Sequence, residues 1–506
     1  MKLSDLLNPN EYTSSVPTDE IEVTRVVSDA RALCRGCLFV VLRSARQDLY
    51  SLLSRLEEAG AAAVVAERGA MIPPEGSIPL LFVPSCREAL AILHSRYHGS
   101  PERELVMIGV TGTNGKTSTS TVLYSILRAA GVRAGLIGTA ECLYDGKVYT
   151  LPEGAGGERL RTMTTPDPDI LYPMLRTMRD AGITHVVMEV SSHSLALMKV
   201  APILFHIGIF TNLSPEHMDF HGSMGAYLDA KARLFLQCKT GILNCDDPHA
   251  EEIIQKSSCE VRRCGVVWQG DIRATDIALY GAAGSSYSYI APGIRLRVRT
   301  PLFGSFSVYN TLLALTAAIE LGISPLVASD ALAKSLNIPG RMERVAVGGG
   351  MGFSVFIDYA HTEEALRSLL TSVRASRRPG ERILLLFGCG GDRDRKKRAP
   401  MGRVAEELAD LLFLTSDNCR SEDPRAIIDD ILSGMRHPER PRVILSRRRA
   451  IEEAIATARS GDILILAGKG HETYEINATG IRHFDERKIV AAALEKRKSG
   501  DTEHEI

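Results

Sequence analysis

Thr111-Gly112-Thr113-Asn114-Gly115-Lys116-Thr117 is the stretch on which the reading of this chain turns. It follows the apolar run Leu105 to Val110 and precedes a helical stretch, Ser118 to Ala130. A strand, a Gly-rich turn ending in Lys-Thr, and then a helix make a phosphate cradle. Backbone N–H groups and the helix N-terminus attract anions, Lys116 adds a point charge, and the Thr117 hydroxyl can reach a magnesium ion. The general phosphate-loop pattern needs a Gly five positions before Gly115, where Val110 stands. Gly112-x-x-Gly115-Lys116-Thr117 is a tighter variant.

Outward from the loop, strand-length apolar runs alternate with helical patterns along almost the whole chain. The expected class is α/β with largely parallel sheets. Candidate strands include Cys37–Leu42, Ala61–Ala66, Leu105–Val110, His185–Val190, His206–Asn212, Ile383–Phe387, Leu411–Thr415 and Ile463–Ala467. Amphipathic stretches between them include Leu49–Ala59, Arg87–Tyr97, Ala399–Asp410 and Arg448–Arg459. Asp271–Thr300 alternates short apolar pairs with Gly and Ser and predicts antiparallel hairpins. The Pro/Gly breaks at His98–Glu102 and Asn337–Arg341 predict three domains: 1–102, 103–338 and 339–506. A length of 506 residues agrees, being too long for one core.

Composition narrows the class. A hydrophobic content of 45% and a charged content of 24% are those of a globular protein. A net charge of −1 gives no electrostatic argument for nucleic acid or membrane. Met1-Lys-Leu-Ser-Asp carries no signal-peptide core and no window is apolar enough to span a bilayer, so a cytoplasmic chain is expected. Ten cysteines in a chain this long are no disulfide framework. Cys34 and Cys37 form a lone C-x-x-C, and Cys37 reads as a buried strand residue.

A phosphate cradle needs a metal-binding acid at the end of a neighbouring strand. Glu189, in Met188-Glu-Val-Ser-Ser-His193, closes an apolar run where open α/β sheets place ligands. Glu216, His217, Asp219 and His221 crowd the segment after the next strand and could ligate or orient a cation or substrate. Thr164-Thr165-Pro166 offers two hydroxyls to an anionic or sugar ligand. Taken by itself, Lys231 reads as a solvated helix lysine.

Thr111–Thr117, Thr164–Pro166, Glu189–His193, Asn212–Gly222, Asp358-Tyr-Ala-His-Thr362, Gly388-Cys-Gly-Gly-Asp-Arg393 and Gly468-Lys-Gly-His-Glu472 together resemble the ordered motifs of the Mur ligases. The resemblance runs from about residue 25 to 490. It is narrowest to the members that add the third residue of the peptidoglycan stem peptide. It implies three domains, with a central ATP-binding parallel sheet and a Rossmann-like C-terminal domain. It also implies a reaction. ATP phosphorylates the terminal carboxylate of UDP-N-acetylmuramoyl-L-alanyl-D-glutamate, and the amine of a diamino acid attacks the acyl phosphate.

Site residues follow from the same resemblance. Gly112, Thr113, Asn114, Gly115, Lys116 and Thr117 would hold ATP and Mg²⁺, and Asn310, Arg341 and His361 would contact the nucleotide. Glu189 and His217 would position metal. Lys231 matches a lysine carbamylated by CO₂, which needs a neutral and therefore buried amine. Thr164, Thr165 and Ser191 would bind the UDP-sugar. The family's usual Gln and Arg after Ser-Ser-His stand here as Leu197 and Lys199; Lys199 keeps the charge without the bidentate fork. Near the N-terminus, Asp29-Ala30-Arg31 replaces the usual Asp-Ser-Arg, leaving Ser28 and Arg46 as substitute uridine contacts. Arg393, Asp417, Asn418, Arg420, Gly468 and Glu472 would read the amino acid. Asp417-Asn-Cys-Arg420 departs from Asp-Asn-Pro-Arg, the form that accompanies meso-diaminopimelate, and Cys419 is expected to loosen the turn that aims Arg420. Arg420 suits a second carboxylate, so meso-diaminopimelate is favoured over L-lysine or ornithine. The expected enzyme is a monomer. A folylpolyglutamate-synthase-like ligase and a non-catalytic nucleotide-binding regulator are the competing readings.

Overall fold

The computed structural model describes residues 1–14, 17–42, 49–69, 78–150, 163–334, 337–347 and 351–502. The chain divides into two compact units, 1–268 with 316–323, and 269–315 with 324–506.

The first unit holds two sheets. The smaller comprises β1 (Thr13–Ser14), β2 (Arg25–Val27), β3 (Cys37–Val40), β4 (Ala63–Glu67) and β5 (Leu80–Val83), in the order β1-β5-β4-β3-β2. Only β1 runs antiparallel. Cys37 is buried in β3, as its apolar neighbours predict.

The larger sheet is built from β6 (Val106–Thr111), β7 (Ala134–Ile137), β8 (Cys142–Tyr144), β9 (Lys147–Val148), β10 (His185–Glu189), β11 (Phe205–Phe210), β12 (Cys238–Asn244) and β13 (Glu260–Gly265). Within this unit the order is β13-β12-β11-β6-β10-β7-β8-β9. The strands from β13 to β7 are parallel and β8 and β9 turn back as a hairpin. Register fixes the site. Glu189 pairs with Val110 and Phe210 with Thr111, so β6, β10 and β11 end at one edge of the sheet. Their following loops therefore emerge side by side, at the carboxyl edge where such sheets bind ligands.

The helix Lys116–Ala129 starts within the loop, two residues before the expected Ser118, and buries Thr119, Val122, Leu123, Ile126 and Leu127. That spacing is one helical face. β11 ends at Phe210 rather than Asn212, because Thr211 and Asn212 are drawn into bonds with the phosphate loop. The helix carrying Lys231 ends at Ala232, and Arg233–Leu236 tightens into a 3₁₀ turn.

In the second unit, β14 (Ile272–Leu279), β15 (Ser285–Ala291) and β16 (Ile294–Thr300) form the expected antiparallel meander. The other sheet comprises β17 (Glu343–Val345), β18 (Ser354–Asp358), β19 (Ile383–Phe387), β20 (Leu411–Leu414), β21 (Arg442–Val443) and β22 (Ile463–Ala467), in the order β17-β18-β22-β19-β20-β21. All but β17 are parallel. Consecutive β19 residues face opposite layers. Leu385 and Phe387 pack with Leu366, Met401 and Val404, while Leu384 and Leu386 pack with Ile451, Ile455 and Val490. Burial on both faces explains the unbroken apolar run, with each such side chain contributing ~1.5–3 kcal/mol. A last hairpin, β23 (Tyr474–Asn477) and β24 (Gly480–His483), follows β22. No helix among the described residues is long and apolar enough to cross a membrane.

Candidate active site

The phosphate loop is shaped by what lies beneath it. Gly112 has φ 148°, and a Cβ there would meet Thr211 Oγ1 at 1.9 Å. Gly115, at φ 84°, caps the following helix in the left-handed conformation. The Asn114 N–H donates to Asn212 Oδ1 (2.9 Å), and Asn212 Nδ2 and Thr211 Oγ1 both donate to the Asn114 carbonyl (3.1 and 2.6 Å). The Thr113 hydroxyl lies 3.1 Å from the Tyr227 hydroxyl and accepts from the Ser214 N–H at 3.0 Å. Lys116 Nζ curls back to the Gly112 and Thr113 carbonyls (2.9 and 2.7 Å), which holds its charge over the cradle.

Glu189 is 1% exposed. Its carboxylate collects three donors: the Thr117 hydroxyl at 3.1 Å, the Thr139 N–H at 2.8 Å and the Thr139 hydroxyl at 3.1 Å. Gly138 leaves the space, since a Cβ there would stand 2.4 Å from Glu189 Oε1. Thr139 Oγ1 also lies 3.0 Å from Thr164 Oγ1, so one hydroxyl touches both the acid and the threonine turn. Thr165 serves that turn from inside. Buried, it donates to the Glu189 carbonyl at 2.9 Å and accepts from the Ser191 N–H at 3.0 Å. Ser191 caps the short helix Ser192–Ala196.

Lys231 is 1% exposed, its ammonium 4.4 Å from the centre of the Tyr227 ring. Burial drives its pKa well down, Lys116 adds repulsion, and Glu216 opposes both. The solvated-lysine expectation is therefore corrected: Tyr227, one turn earlier on the same face, is buried too, and that face of the helix turns inward. Five rings gather nearby, Phe220 among them at 4.1 Å from His193. His193 lies 4.7 Å from His217 and 5.5 Å from His221, and His221 lies 4.9 Å from Tyr227. Burial, then His217 and His221, bring the His193 pKa down to about 4. His221 Nε2 is 3.0 Å from Ser192 Oγ, and His217 Nε2 is 3.7 Å from Glu216 Oε2. Asp219 sits in the same short helix as His221. Among the described residues no three His, Cys, Asp or Glu side chains gather into a ready metal site. The Thr117 hydroxyl and the Glu189 carboxylate are instead a hard-oxygen pair of the kind that phosphate oxygens and water complete around Mg²⁺.

Lys199 Nζ pairs with Asp167 Oδ1 at 2.6 Å, beside the threonine turn. Ser28 follows β2 and is half-buried; Asp29 and Arg31 pair with each other at 2.6 Å. Arg46 lies outside the described residues.

In the second unit, Asn310 is buried in the helix Ser305–Glu320. The Arg341 guanidinium lies 4.9 Å from the Tyr359 ring centre, and His361 is 4.6 Å from the same ring. The amino-acid motifs meet at the ends of β20 and β22. Asn418 Nδ2 donates to Glu472 Oε2 at 2.8 Å, and Gly468, at φ 110°, leaves room for Asp417 Oδ2. Arg420, at φ 51°, donates from Nη1 to the Gly391 carbonyl at 2.8 Å, and its N–H donates to the Ile476 carbonyl at 3.1 Å. The Gly391 N–H donates to the Asn418 carbonyl at 2.9 Å. The turn at Cys419 is thus pinned from two sides. Cys419 is buried and fills the turn. Arg393 is exposed on the neighbouring loop, with Nη1 3.4 Å from the Asp392 carbonyl.

Family comparison matches residues 110–318 to the Mur ligase middle domain and residues 340–470 to the Mur ligase glutamate ligase domain. The chain belongs to the Mur ligase family. Mur ligases are ATP-dependent amide-bond-forming enzymes, and this chain is one of them. A relative from Chlorobium phaeobacteroides, a UDP-N-acetylmuramoyl-L-alanyl-D-glutamate–2,6-diaminopimelate ligase, is 38% identical, over 99% of this chain and 98% of its own. A relative of the same name from Syntrophomonas wolfei is 39% identical, over 98% and 99%. Among solved structures, a ligase of that name superposes with a TM-score of 0.68 at 28% identity, covering 96% of this chain and 97% of its own. Folylpolyglutamate synthase from Mycobacterium tuberculosis matches at 0.60 and 18%, over 74% of this chain and 91% of its own, a likeness of fold alone.

As a Mur ligase, the chain shows two constellations where the motifs point. Lys116, Thr117, Glu189 and Thr164 share one edge of the first unit's larger sheet, with Lys231 and His217 around Tyr227. Asp417, Asn418, Gly468 and Glu472 share one edge of the second unit's sheet. Three residues escaped the sequence reading. Tyr227 carries both Thr113 and Lys231. Thr139 holds Glu189, and a signal existed in the short apolar run before Gly138-Thr139. Lys469 stands inside a quoted motif but had no role assigned.

Proposed function

We infer that this Mur ligase joins meso-diaminopimelate to the D-glutamyl carboxylate of UDP-N-acetylmuramoyl-L-alanyl-D-glutamate, making a peptidoglycan precursor. The observation that carries the amino-acid choice is Arg420, held by the Gly391 carbonyl and close enough to Glu472 to act on its charge. A guanidinium clamps a carboxylate and a glutamate accepts an ammonium, so the pair suits an amino acid with both at its distal end. The names of relatives 35–39% identical over nearly the whole chain support the same choice.

The chemistry divides among the residues in order. Loop N–H groups and Lys116 would gather the ATP phosphates, and Thr117, Glu189 and His217 would hold Mg²⁺. That ion, when bound, supplies the charge neutralisation that lets a carboxylate approach ATP. The substrate carboxylate attacks the γ-phosphorus and ADP departs. The amine then attacks the acyl carbon, loses a proton, and phosphate leaves. Asn310, Arg341 and His361 are assigned to the nucleotide. Ser28, Thr164, Ser191 and Lys199 are assigned to the UDP-sugar, with Thr165 shaping that turn. Arg393, Asp417, Asn418, Arg420, Gly468 and Glu472 are assigned to the diamino acid. Lys231 is proposed to carry a carbamate; its buried amine, depressed in pKa, meets the condition for reacting with CO₂. The reading carries with it a monomeric cytoplasmic enzyme with domains 1–102, 103–338 and 339–506, one principal sheet to each.

Phosphate release from purified protein with ATP, the UDP-muramoyl-dipeptide and a panel of amines tests the assignment. Release with meso-diaminopimelate is expected. Faster release with L-lysine or ornithine would overturn the amino-acid choice, and none with any amine would favour a regulator.

A further inference from the structure

Lys469 is wholly buried, 0% exposed, beside the Asp417 carboxylate. Its ammonium donates to Asn418 Oδ1 and to the Tyr474 carbonyl, both at 2.9 Å. It faces Asp417 Oδ1 at 3.5 Å and Glu472 Oε2 at 3.7 Å. The Asn418 amide is thereby oriented. Its oxygen takes Lys469 and the Ile476 N–H (3.0 Å), so its nitrogen must point to Glu472. A buried ammonium is costly and persists only where its partners satisfy it.

Charges around the pocket can be counted. Arg447 and Glu486 pair with each other at 2.7 Å, fully buried, and Arg482 pairs with Glu475 at 2.5 Å. Lys469 balances Asp417. Burial alone would raise the Asp417 pKa, but Lys469 and then Arg447 hold it below the usual value. What remains is the Glu472 carboxylate, with Arg420 as the guanidinium that acts on it. Burial, then Asp417, raises the Glu472 pKa, while Lys469, Asn418 and Arg420 oppose the rise.

We propose that Lys469 is a positioning residue that sets amino-acid specificity: by cancelling Asp417 and aiming Asn418 at Glu472, it leaves a pocket matched to a distal zwitterion rather than to a lone ammonium. This rests on the diamino-acid reading above. Without Lys469 the pocket gains one net negative charge, which favours an amine lacking the second carboxylate.

The test compares kcat/KM for meso-diaminopimelate and L-lysine in the full-length enzyme, its Lys469→Met variant, and the Lys469→Met/Asp417→Asn double variant. The single variant is expected to shift the diaminopimelate-to-lysine ratio by about tenfold or more toward lysine, the size of a lost hydrogen bond to a charged group. The KM for ATP should stay within about twofold. The double variant, which removes the pair as a neutral unit, is expected to recover the part of the ratio that charge sets, but not the part that depends on the aim of Asn418. Equal loss for both amines, or a double variant no different from the single, would overturn the proposal. If Lys469→Met does not fold, Asp417→Asn replaces it. Alone that change leaves Lys469 uncompensated and should move the ratio toward diaminopimelate, and adding Lys469→Met should return it; identical ratios would overturn the proposal. A wild-type enzyme inactive with every diamino acid would instead refute the functional reading itself.

Discussion

The Thr117 hydroxyl donates to Glu189 Oε2 at 3.1 Å, joining the last residue of the phosphate loop to an acid 72 positions away. Strand pairing creates this contact. β6 and β10 are neighbours in register, so the loop after one and the acid closing the other reach the same point. The pair presents two oxygens toward the phosphate cradle, and Thr139 keeps the acid from turning away.

Thr139 is therefore expected to govern metal use. Thr139→Val keeps the N–H bond to Glu189 but removes the hydroxyl. Partners that orient a metal ligand typically cost about 10–100-fold in affinity when lost. Titration of Mn²⁺ into the nucleotide-bound enzyme, followed by electron paramagnetic resonance, should show weakening in that range. Thr139→Ser should bind as the wild type does, and an unchanged affinity in Thr139→Val would remove Thr139 from the site.

Lys231 predicts a dependence on pH and on CO₂. The folded amine has a depressed pKa, while the unfolded amine titrates near 10.5. Between those values the unfolded chain binds the extra proton, so stability rises with pH toward 10.5 and is lost as pH falls. In CO₂-free buffer, Lys231→Met should flatten that slope in chemical denaturation. Activity should depend on bicarbonate and fall at acid pH, where the amine protonates. Lys231→Ala should lose activity by about two orders of magnitude or more, a loss of the size seen for one electrostatic contact to a transition state. Short-chain carboxylates should restore part of it. A carbamate carbon resonance with ¹³CO₂ that disappears in Lys231→Ala would be the direct sign.

Arg420 predicts selectivity. Arg420→Ala should cost roughly 1.5–3 kcal/mol in kcat/KM for meso-diaminopimelate, as for a lost bond to a charged group, and far less for L-lysine. Arg420→Lys should recover only part, since a lysine lacks the bidentate fork. Equal effects on both amines would place the distal carboxylate elsewhere.

How much of this could be read beforehand depends on where each partner lies. Lys116, Thr117 and Glu189 were legible because strand ends and Gly-rich turns are local signals. The C-terminal strands Ile383–Phe387 and Ile463–Ala467 were legible to the residue, since burial on both faces leaves an unbroken apolar run. Lys231 was not legible without the resemblance. Its burial comes from Tyr227 and from the helices packed around its own, which composition cannot tell from a solvated face. Thr139 serves an acid 50 positions away, and Lys469 an asparagine 51 positions away. Such long-range polar contacts depend on sheet order, and local periodicity does not carry sheet order.

The most direct test of an acyl-phosphate ligase follows the oxygen. UDP-N-acetylmuramoyl-L-alanyl-D-glutamate labelled with ¹⁸O in its terminal carboxylate is turned over with ATP and meso-diaminopimelate, and the released phosphate is weighed by mass spectrometry. Attack of the carboxylate on the γ-phosphorus makes its oxygen the bridge, and amine attack at carbon then leaves that oxygen on phosphorus. Each phosphate released should carry one ¹⁸O. Unlabelled phosphate alongside amide formation would contradict the account.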